Sequence, residues 1–173
     1  ESSMSEEILE EEDTQKDKYL TFFLGEETYG IDIRVVMEII GILPITKVPE
    51  VPDYVQGIIN LRGKIIPVVD MRLRFHREFR DYTDRTCVIV IKVAEMLIGL
   101  IIDGVSEVLT IPAAKVVPPP DLRASKNRYI RGIGRLREDG QDVVLLLDWE
   151  KLFSEDEQAA MEEAQGTAPA AAE

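Results

Sequence analysis

The sequence predicts an all-β fold built from two small, five-stranded β-barrels that arose by internal duplication. Short runs of β-branched and aromatic residues are separated by turn residues at close spacing, which is typical of barrels. The segment YVQGIINLRGKIIPVVDMRLRF, residues 54–75, has a counterpart in YIRGIGRLREDGQDVVLLLDWEKLF, residues 129–153. Upstream, a glycine precedes a glutamate by eight residues twice, as Gly30 and Glu38 and again as Gly99 and Glu107. Two equivalent halves are therefore expected, with a groove between them as a binding site.

The two copies align residue by residue. At an offset of 75, the following residues correspond: Tyr54, Gly57, Ile58, Leu61 and Arg62 with Tyr129, Gly132, Ile133, Leu136 and Arg137. After a three-residue insertion, Asp70 and Phe75 correspond to Asp148 and Phe153 at an offset of 78. Residues at equivalent positions are expected to have equivalent structural roles.

The charge is concentrated at the two ends of the chain. Residues 1–18 contain eight acids and two bases, and residues 154–173 contain six acids and no base, whereas residues 19–153 are nearly neutral. The ends also have few apolar residues, so two disordered acidic tails are predicted, at 1–18 and 154–173. The folded region is expected at 19–153, with the first barrel at about 19–80 and the second at about 85–153. Whether strands cross over between the barrels stays open.

The first half begins with YLTFFLGEETYGIDI, which predicts two strands joined by a turn at 25–28. For residues 34–40 a short helix and a strand are both open, and a helical turn after Asp32 followed by a strand through residues 39–43 is favoured. Three prolines between 44 and 52 exclude a long helix or a central strand there. NLRGK, residues 60–64, predicts a turn in which Gly63 takes a positive φ. The strand at 65–69 follows, and its Pro67 indicates an edge or a bulge.

The second half begins, after a polar connector, with two apolar strands at 86–93 and 96–102. Both are apolar on two sides, so both faces are expected to be covered. Residues 104–111 correspond to 34–40. Three consecutive prolines at 118–120 predict an extended segment before a loop at 121–128, and a turn at 138–141 leads into a strand at 143–147.

Motifs that would indicate catalysis are missing from the sequence. It contains no GxxxxGK[ST], GxGxxG, HExxH or CxxC, so no enzyme, metal site or cofactor is predicted. His76, the only histidine, is expected to be a solvated surface residue, and Cys87, the only cysteine, a buried and inert thiol. No apolar stretch approaches the roughly 20 residues that span a bilayer, and a cytosolic protein is expected.

Two clusters of arginines, at 72–80 and 123–137, raise the alternative of a β-barrel that binds single-stranded nucleic acid. Aromatic residues for base stacking are sparse among them. Ion pairing with the neighbouring acids Glu78, Asp81, Asp84, Glu138 and Asp139 is the simpler interpretation. Arg62 and its counterpart Arg137 are expected to contact Glu38 and Glu107, either to fix the turn or to form part of a binding surface.

The order YGIDI, VxEI and GxxNLRGxxxPVxDxR, between about Tyr19 and Phe153, resembles the CheW family of bacterial chemotaxis coupling proteins. The resemblance implies two SH3-like five-stranded barrels around a shared hydrophobic core. It also implies a non-catalytic adaptor in the cytoplasm, recruited to membrane receptor arrays. Its implied partners are the cytoplasmic tip of methyl-accepting chemoreceptors and the regulatory domain of the histidine kinase CheA. A scaffold domain of another two-component assembly is the alternative within the same resemblance.

The resemblance also assigns site residues. For the receptor-binding groove it implies Val36, Glu38, Ile39, Arg62, Gly99, Val105 and Val108. For kinase binding it implies Gln56, Gly57, Asn60 and Ile65. Gly63, Gly132 and Arg137 are expected to shape turns and strands.

Overall fold

The computed structural model describes residues 15–119, 129–136 and 142–166, and strands dominate these residues. The strands are β1 (Lys18–Leu24), β2 (Glu27–Asp32), β3 (Val36–Gly41), β4 (Val55–Leu61), β5 (Lys64–Asp70), β6 (Cys87–Val93), β7 (Met96–Ile102), β8 (Gly104–Thr110), β9 (Val116–Val117), β10 (Ile130–Arg135) and β11 (Val143–Leu147). The helices are α1 (Met71–Arg74) and α2 (Glu155–Gly166), and 3-10 turns lie at Ile33–Val35 and Ala113–Lys115. The prediction of a mostly β fold is confirmed.

The strands form two sheets, and each sheet takes strands from both halves of the sequence. The six-stranded sheet has the order β8-β1-β2-β11-β10-β9, and the five-stranded sheet has the order β3-β6-β7-β5-β4. Strands therefore do cross over, as the sequence had left open. A contiguous segment such as 19–80 does not contain either sheet.

Neither sheet closes into a barrel by continuous strand pairing within the described residues. In the five-stranded sheet the edges are β3 and β4. An isolated bridge between Thr46 and Ile58 joins the segment after β3 to β4, with both backbone hydrogen bonds at 2.9 Å. The sheet thus curls, but one bridge does not make the closed barrel that was predicted.

The internal duplication is visible in the strand pairing. The order β8-β1-β2-β11-β10 corresponds, strand by strand, to β3-β6-β7-β5-β4. The two parallel pairs have the same register, because Val68 lies opposite Gly99 and the equivalent Leu146 lies opposite Gly30. Both glycines are tightly packed: a Cβ on Gly99 would lie 2.8 Å from Val88 Cγ1, and one on Gly30 would lie 3.0 Å from Val144 Cγ1.

The main hydrophobic core lies between the two sheets and repeats the same symmetry. Leu20, Phe22 and Ile31 of the six-stranded sheet are buried in one cluster with their equivalents Ile89, Ile91 and Leu100 of the five-stranded sheet. Two smaller clusters belong to the individual sheets, one around Ile66 and Val68 and the other around Val144 and Leu146. The shared core implied by the family resemblance is therefore present, and it fills the space between the sheets.

Helix α2 corrects the prediction of a disordered acidic tail over 154–173, because residues 155–166 are helical. Its N-terminus carries a capping box: Ser154 Oγ accepts from the Glu157 amide at 3.1 Å, and Glu157 Oε1 accepts from the Ser154 amide at 2.8 Å. Met161 and Ala164, one turn apart, are buried. The sequence analysis did not predict this short apolar stripe because the segment is rich in acidic residues. The prediction for residues 1–14 and 167–173 lies outside the described residues.

Candidate partner-binding site

The turn between β4 and β5 presents Arg62 to solvent. Asn60 Oδ1 accepts a hydrogen bond from the Gly63 amide at 2.8 Å, which closes the turn, and Arg62 and Gly63 both have positive φ, +51° and +88°. The side chain of Arg62 is 68% exposed. The predicted positive φ at Gly63 is confirmed, and the turn holds Arg62 at one end of the five-stranded sheet.

Arg62 forms an ion pair with Glu38 on β3. Arg62 donates to Glu38 Oε2 at 2.5 Å, and the pair joins β3, one edge strand of the five-stranded sheet, to the turn that follows β4, the other edge strand. The hydrogen bond from Arg62 holds the pKa of the Glu38 carboxyl below its usual value. The predicted Arg–Glu contact is thus confirmed in the first half. Arg137, which would form its counterpart, lies outside the described residues.

Exposed apolar side chains lie on both sides of Glu38 along β3. Met37 is 58% exposed and Ile39 is 41% exposed, whereas Val36 is half-buried and packs against the central core. The sequence predicted a helical turn after Asp32 and then a strand through Ile39, and the 3-10 turn at Ile33–Val35 followed by β3 confirms this order. Met37 was missed because the strand begins at Val36, earlier than predicted, and Met37 and Ile39 share its more exposed face.

The second set of predicted groove residues lies in the other sheet. Val105 on β8 is the equivalent of Val36 and packs against the same central core. Val108, the equivalent of Ile39, is 50% exposed on the outer strand of the six-stranded sheet. The structure therefore shows Val36 and Val105 bordering one core, while Ile39 and Val108 lie on two separate edge strands.

Three of the predicted glycines are held by packing. Gly57 is buried with φ +147°, and a Cβ there would lie 2.1 Å from the carbonyl oxygen of Thr46. Gly132 is also buried, and its Cβ would lie 2.6 Å from Val116 Cγ1. Gly99 lies at the centre of β7, as described above. A buried glycine presents no side chain at the surface, so each of these positions determines the shape of its sheet.

The remaining predicted kinase-binding residues lie along the β4–β5 hairpin, with Asn60 and Ile65 next to the Arg62 turn and Gln56 near the start of β4. Asn60 is exposed, and Gln56 is half-buried and donates to the Asp53 carbonyl at 3.2 Å. Ile65 is half-buried, and its carbonyl accepts a hydrogen bond from the side chain of Gln165 on α2 at 2.7 Å. Of the predicted kinase set, Asn60 and Ile65 are paired next to the turn that carries Arg62, and Gln56 lies toward the other end of the hairpin.

The arginines of the first basic cluster are engaged within the fold. Arg72 pairs with Asp103, with Nε donating to Oδ1 at 2.8 Å, and Arg77 pairs with Glu27 at 2.7 Å. Pairing with acids is confirmed for these residues, although the partners are distant in sequence and are not the neighbouring acids that had been predicted. These cations are therefore not displayed as a surface for nucleic acid.

Arg74 is a buried arginine that the sequence analysis did not single out. It is 3% exposed and donates to the Leu152 carbonyl at 2.6 and 2.9 Å. Its guanidinium carbon lies 4.7 Å from the ring centre of Tyr54 and 4.4 Å from that of Tyr129. Glu157 lies 3.4 Å from Arg74 and accepts a hydrogen bond from the Tyr54 hydroxyl. The duplicated tyrosines were the available signal, since both contact this one cation.

Metal sites, membrane-spanning helices, His76 and Cys87 can be described for the same part of the chain. Within residues 15–119, 129–136 and 142–166, no group of His, Cys, Asp and Glu is arranged to hold a metal ion. In the same ranges, no helix has the length and apolar character needed to cross a membrane. His76 is exposed, as predicted, and Cys87 is half-buried with its Sγ 3.3 Å from the Arg85 carbonyl.

Comparison with known proteins gives a consistent result. Residues 18–157 match the family described as the CheW-like domain. The chain is 37% identical to the chemotaxis protein CheW of Klebsiella aerogenes over 151 residues, which cover 87% of this chain and 89% of the relative. It is 36% identical to that of Treponema pallidum, covering 80% and 82% of the two chains. The crystal structure of the scaffolding protein TtCheW from Thermoanaerobacter tengcongensis superimposes with a TM-score of 0.72 and 35% identity, covering 82% of this chain and 94% of that one.

Proposed function

The chain belongs to the CheW-like domain family of chemotaxis proteins, and we propose that it couples methyl-accepting chemoreceptors to the histidine kinase CheA without catalysing a reaction itself. The receptor partner is the cytoplasmic tip, and the kinase partner is the regulatory domain. The protein acts in the cytoplasm and is recruited to receptor arrays at the membrane. Its role is to hold both partners, so that a change in one reaches the other.

The Arg62–Glu38 pair is the observation that carries the assignment of the binding face. The pair is exposed, and Met37 and Ile39, which neighbour Glu38 along β3 but lie on the other face of that edge strand, leave apolar surface in contact with solvent. Arginine is enriched at interface hot spots, and an exposed apolar rim is favourable for burial by a partner. The receptor tip, as a helical hairpin, would present an apolar helix face to such a surface.

The two partner surfaces are proposed to adjoin at the β4–β5 turn. The receptor surface comprises Val36, Glu38, Ile39 and Arg62, with Val105 and Val108 in the other sheet and Gly99 shaping the strands beneath. The kinase surface comprises Gln56, Gly57, Asn60 and Ile65. Each contact is modest in area, so that affinity depends on both partners binding together in an assembly.

The test is a pull-down with purified components. The immobilised chain is incubated with the CheA regulatory domain, with a receptor cytoplasmic fragment, and with both. We expect each partner to be retained alone and the retention of the kinase domain to rise when the receptor fragment is present. Retention of neither partner by a chain that unfolds cooperatively would contradict the proposal.

A further inference from the structure

The duplication gives the fold two equivalent β-hairpins, β4–β5 and β10–β11, and among the described residues a helix covers the first and not the second. Helix α2 packs on β4 and β5, and Met161 lies in the central core. In the described part of the chain, no helix makes a comparable contact with β10 and β11. The two hairpins are otherwise paired in the same way, with the register shift at equivalent positions, before Gly57 and before Gly132.

The absence of a second helix has a local cause. Phe75 is the equivalent of Phe153, after which α2 begins. After Phe153 the sequence Ser154 to Glu157 forms a capping box, whereas after Phe75 comes His76 with φ +61°, which turns the backbone away from a helical path. The following residues to 86 contain turns and irregular backbone. The place beside β10–β11 that corresponds to α2 is therefore left without a helix from this segment.

Equivalent residues of the two hairpins differ in their solvent exposure. Ile58 and Pro67 are paired across β4–β5 and are both buried. Their equivalents Ile133 and Leu145 are paired across β10–β11 and are both half-buried. They open into a cavity of about 490 Å³, whose lining includes the aromatic residues Tyr29, Phe75 and Tyr129. This volume accommodates several apolar side chains.

The charged side chains at the edge of this cavity neutralise each other. Arg77 pairs with Glu27 at 2.7 Å and donates to the Tyr29 hydroxyl at 3.0 Å, and Tyr29 donates to Glu27 at 3.1 Å. Burial raises the pKa of Tyr29 to about 12, so its hydroxyl remains a donor at neutral pH. The Phe75 ring stacks on Tyr29 at 5.3 Å and holds this wall in place. The cavity thus favours an apolar ligand surface over a charged small molecule.

We propose that the cavity beside Ile133 and Leu145 is a docking site for an amphipathic α-helix of a partner protein, which binds where α2 binds in the equivalent half. The partner helix would carry medium-sized and small apolar side chains one turn apart, as α2 does with Met161 and Ala164. The residues that line the cavity include neither Arg62 and Glu38 nor Val105 and Val108, the proposed receptor residues on β8 of the same sheet. The cavity is therefore distinct from the receptor and kinase surfaces proposed above.

The probe for this site is a stapled peptide with the sequence of residues 154–166, whose helix already fits the equivalent hairpin. It is titrated into the full chain, and binding is followed by methyl NMR and fluorescence anisotropy. We expect saturable shifts at the methyl groups of Ile133 and Leu145. We also expect Ile133→Lys to weaken binding at least about tenfold, because a charged side chain replaces half-buried apolar surface in the cavity.

Phe79→Lys is the matched control, because Phe79 is an exposed apolar residue that does not line the cavity. It should bind the peptide as the parent chain does. If Ile133→Lys loses the parent methyl spectrum elsewhere in the core, Leu145→Thr replaces it in the same assay. Three results would overturn the proposal: no saturable binding, unchanged affinity of the folded cavity variant, or shifts confined to β4–β5, which would mean that the peptide only displaces α2.

Discussion

Arg62 and Glu38 are in contact with solvent, so an ion pair between them adds little to the stability of the fold. Its geometry is nevertheless specific, because it joins the edge strand β3 to the turn that follows the other edge strand, β4, at 2.5 Å. An exposed pair at a sheet edge is better placed to meet a partner than to support the core. The consequences of changing it should therefore appear in binding and not in unfolding.

We expect Arg62→Glu to weaken co-sedimentation of CheA with receptor-bearing membranes while thermal unfolding stays unchanged. The substitution places two carboxylates together on the proposed binding face. Lys92→Glu, the same charge change at an exposed position on β6, should co-sediment like the parent chain. Combining Glu38→Arg with Arg62→Glu should recover part of the loss, and strictly additive losses would show that the two side chains do not interact.

Asp103 provides a pH-dependent prediction at the same scale. Burial alone would raise its pKa, but hydrogen bonds from Arg72 and from the Gly25 amide outweigh burial and hold the pKa below its usual value. A carboxyl with a lowered pKa stabilises the fold above its unfolded pKa of about 3.9, and that stabilisation is lost as the pH falls through the folded pKa.

Asp103→Asn is accordingly expected to lower the free energy of unfolding by about 2 kcal/mol at pH 7, since it leaves a mostly buried arginine without its charge partner. Urea unfolding from pH 7 to pH 3 should show the difference between variant and parent shrinking below about pH 4. A difference that stays constant across this range would mean that the carboxylate charge does not contribute.

At the scale of elements, Gly57 on β4 can be compared with Gly63 in the turn that follows this strand. Gly57 has no room for a side chain, because its Cβ would meet the Thr46 carbonyl that pairs with Ile58. Gly63 has φ +88°, but no atom lies within 4 Å of its Cβ. An alanine at Gly63 is opposed only by backbone strain. An alanine at Gly57 would also clash with the Thr46 carbonyl and break the two hydrogen bonds between Thr46 and Ile58.

We expect Gly57→Ala to destabilise the fold by about 3 kcal/mol and Gly63→Ala by about 1 kcal/mol, measured by urea unfolding. The Gly57 variant should also lose partner binding through its distorted strand. If its affinity for the kinase domain falls while its stability is unchanged, Gly57 contacts the partner directly, which its burial argues against.

Helix α2 depends on its cap, because it has little apolar surface apart from Met161 and Ala164. Ser154→Ala should cost about 1 kcal/mol through loss of the N-cap and should raise amide exchange along residues 155–166. Ser154→Asp supplies an equivalent acceptor and should exchange like the parent chain. Equal exchange in Ser154→Ala would show that docking, and not the cap, holds the helix.

At the scale of the whole molecule, the sequence predicted the strands and the duplication better than it predicted their assembly. The repeat of Tyr54 at Tyr129 and of Gly30 at Gly99 revealed two equivalent sets of strands. Because the two sets are equivalent, the apolar pattern of β3 suits pairing with either β6 or β1. The pattern alone therefore does not predict with which of these strands β3 pairs. The exchange of strands depends on how the halves pack on one core, which is a property of the whole chain.

The candidate site, too, was predicted only in part. Arg62 and Glu38 were paired by reasoning from the duplication, and the contact is present. Met37 was missed because the strand predicted after the helical turn was expected to begin near Ile39, whereas β3 begins at Val36. Helix α2 was missed because acidic composition outweighed a two-residue apolar stripe. Arg74 was missed because its partners, Leu152 and Glu157, are distant in sequence, and only the folded chain brings them together.

The crossed topology leads to a prediction for fragments. The fragment 1–80 contains β1 to β5 but lacks β6 and β7, which form the middle of the five-stranded sheet, and it lacks the strands that flank β1 and β2. The fragment 81–173 contains β6 to β11 but lacks β1 to β5, so both of its sheets are incomplete. Neither fragment can bury the central core alone, so each should lack dispersed amide resonances and a cooperative thermal transition.

Mixed in equimolar amounts, the two fragments should recover both properties, since the cut after Arg80 falls in an exposed polar connector and breaks no strand. The heteronuclear NMR spectrum of the mixture should then resemble that of the intact chain, except near the cut. Cooperative unfolding of either isolated fragment would require a barrel made from one contiguous half, because only such a barrel could bury its core without the partner's strands.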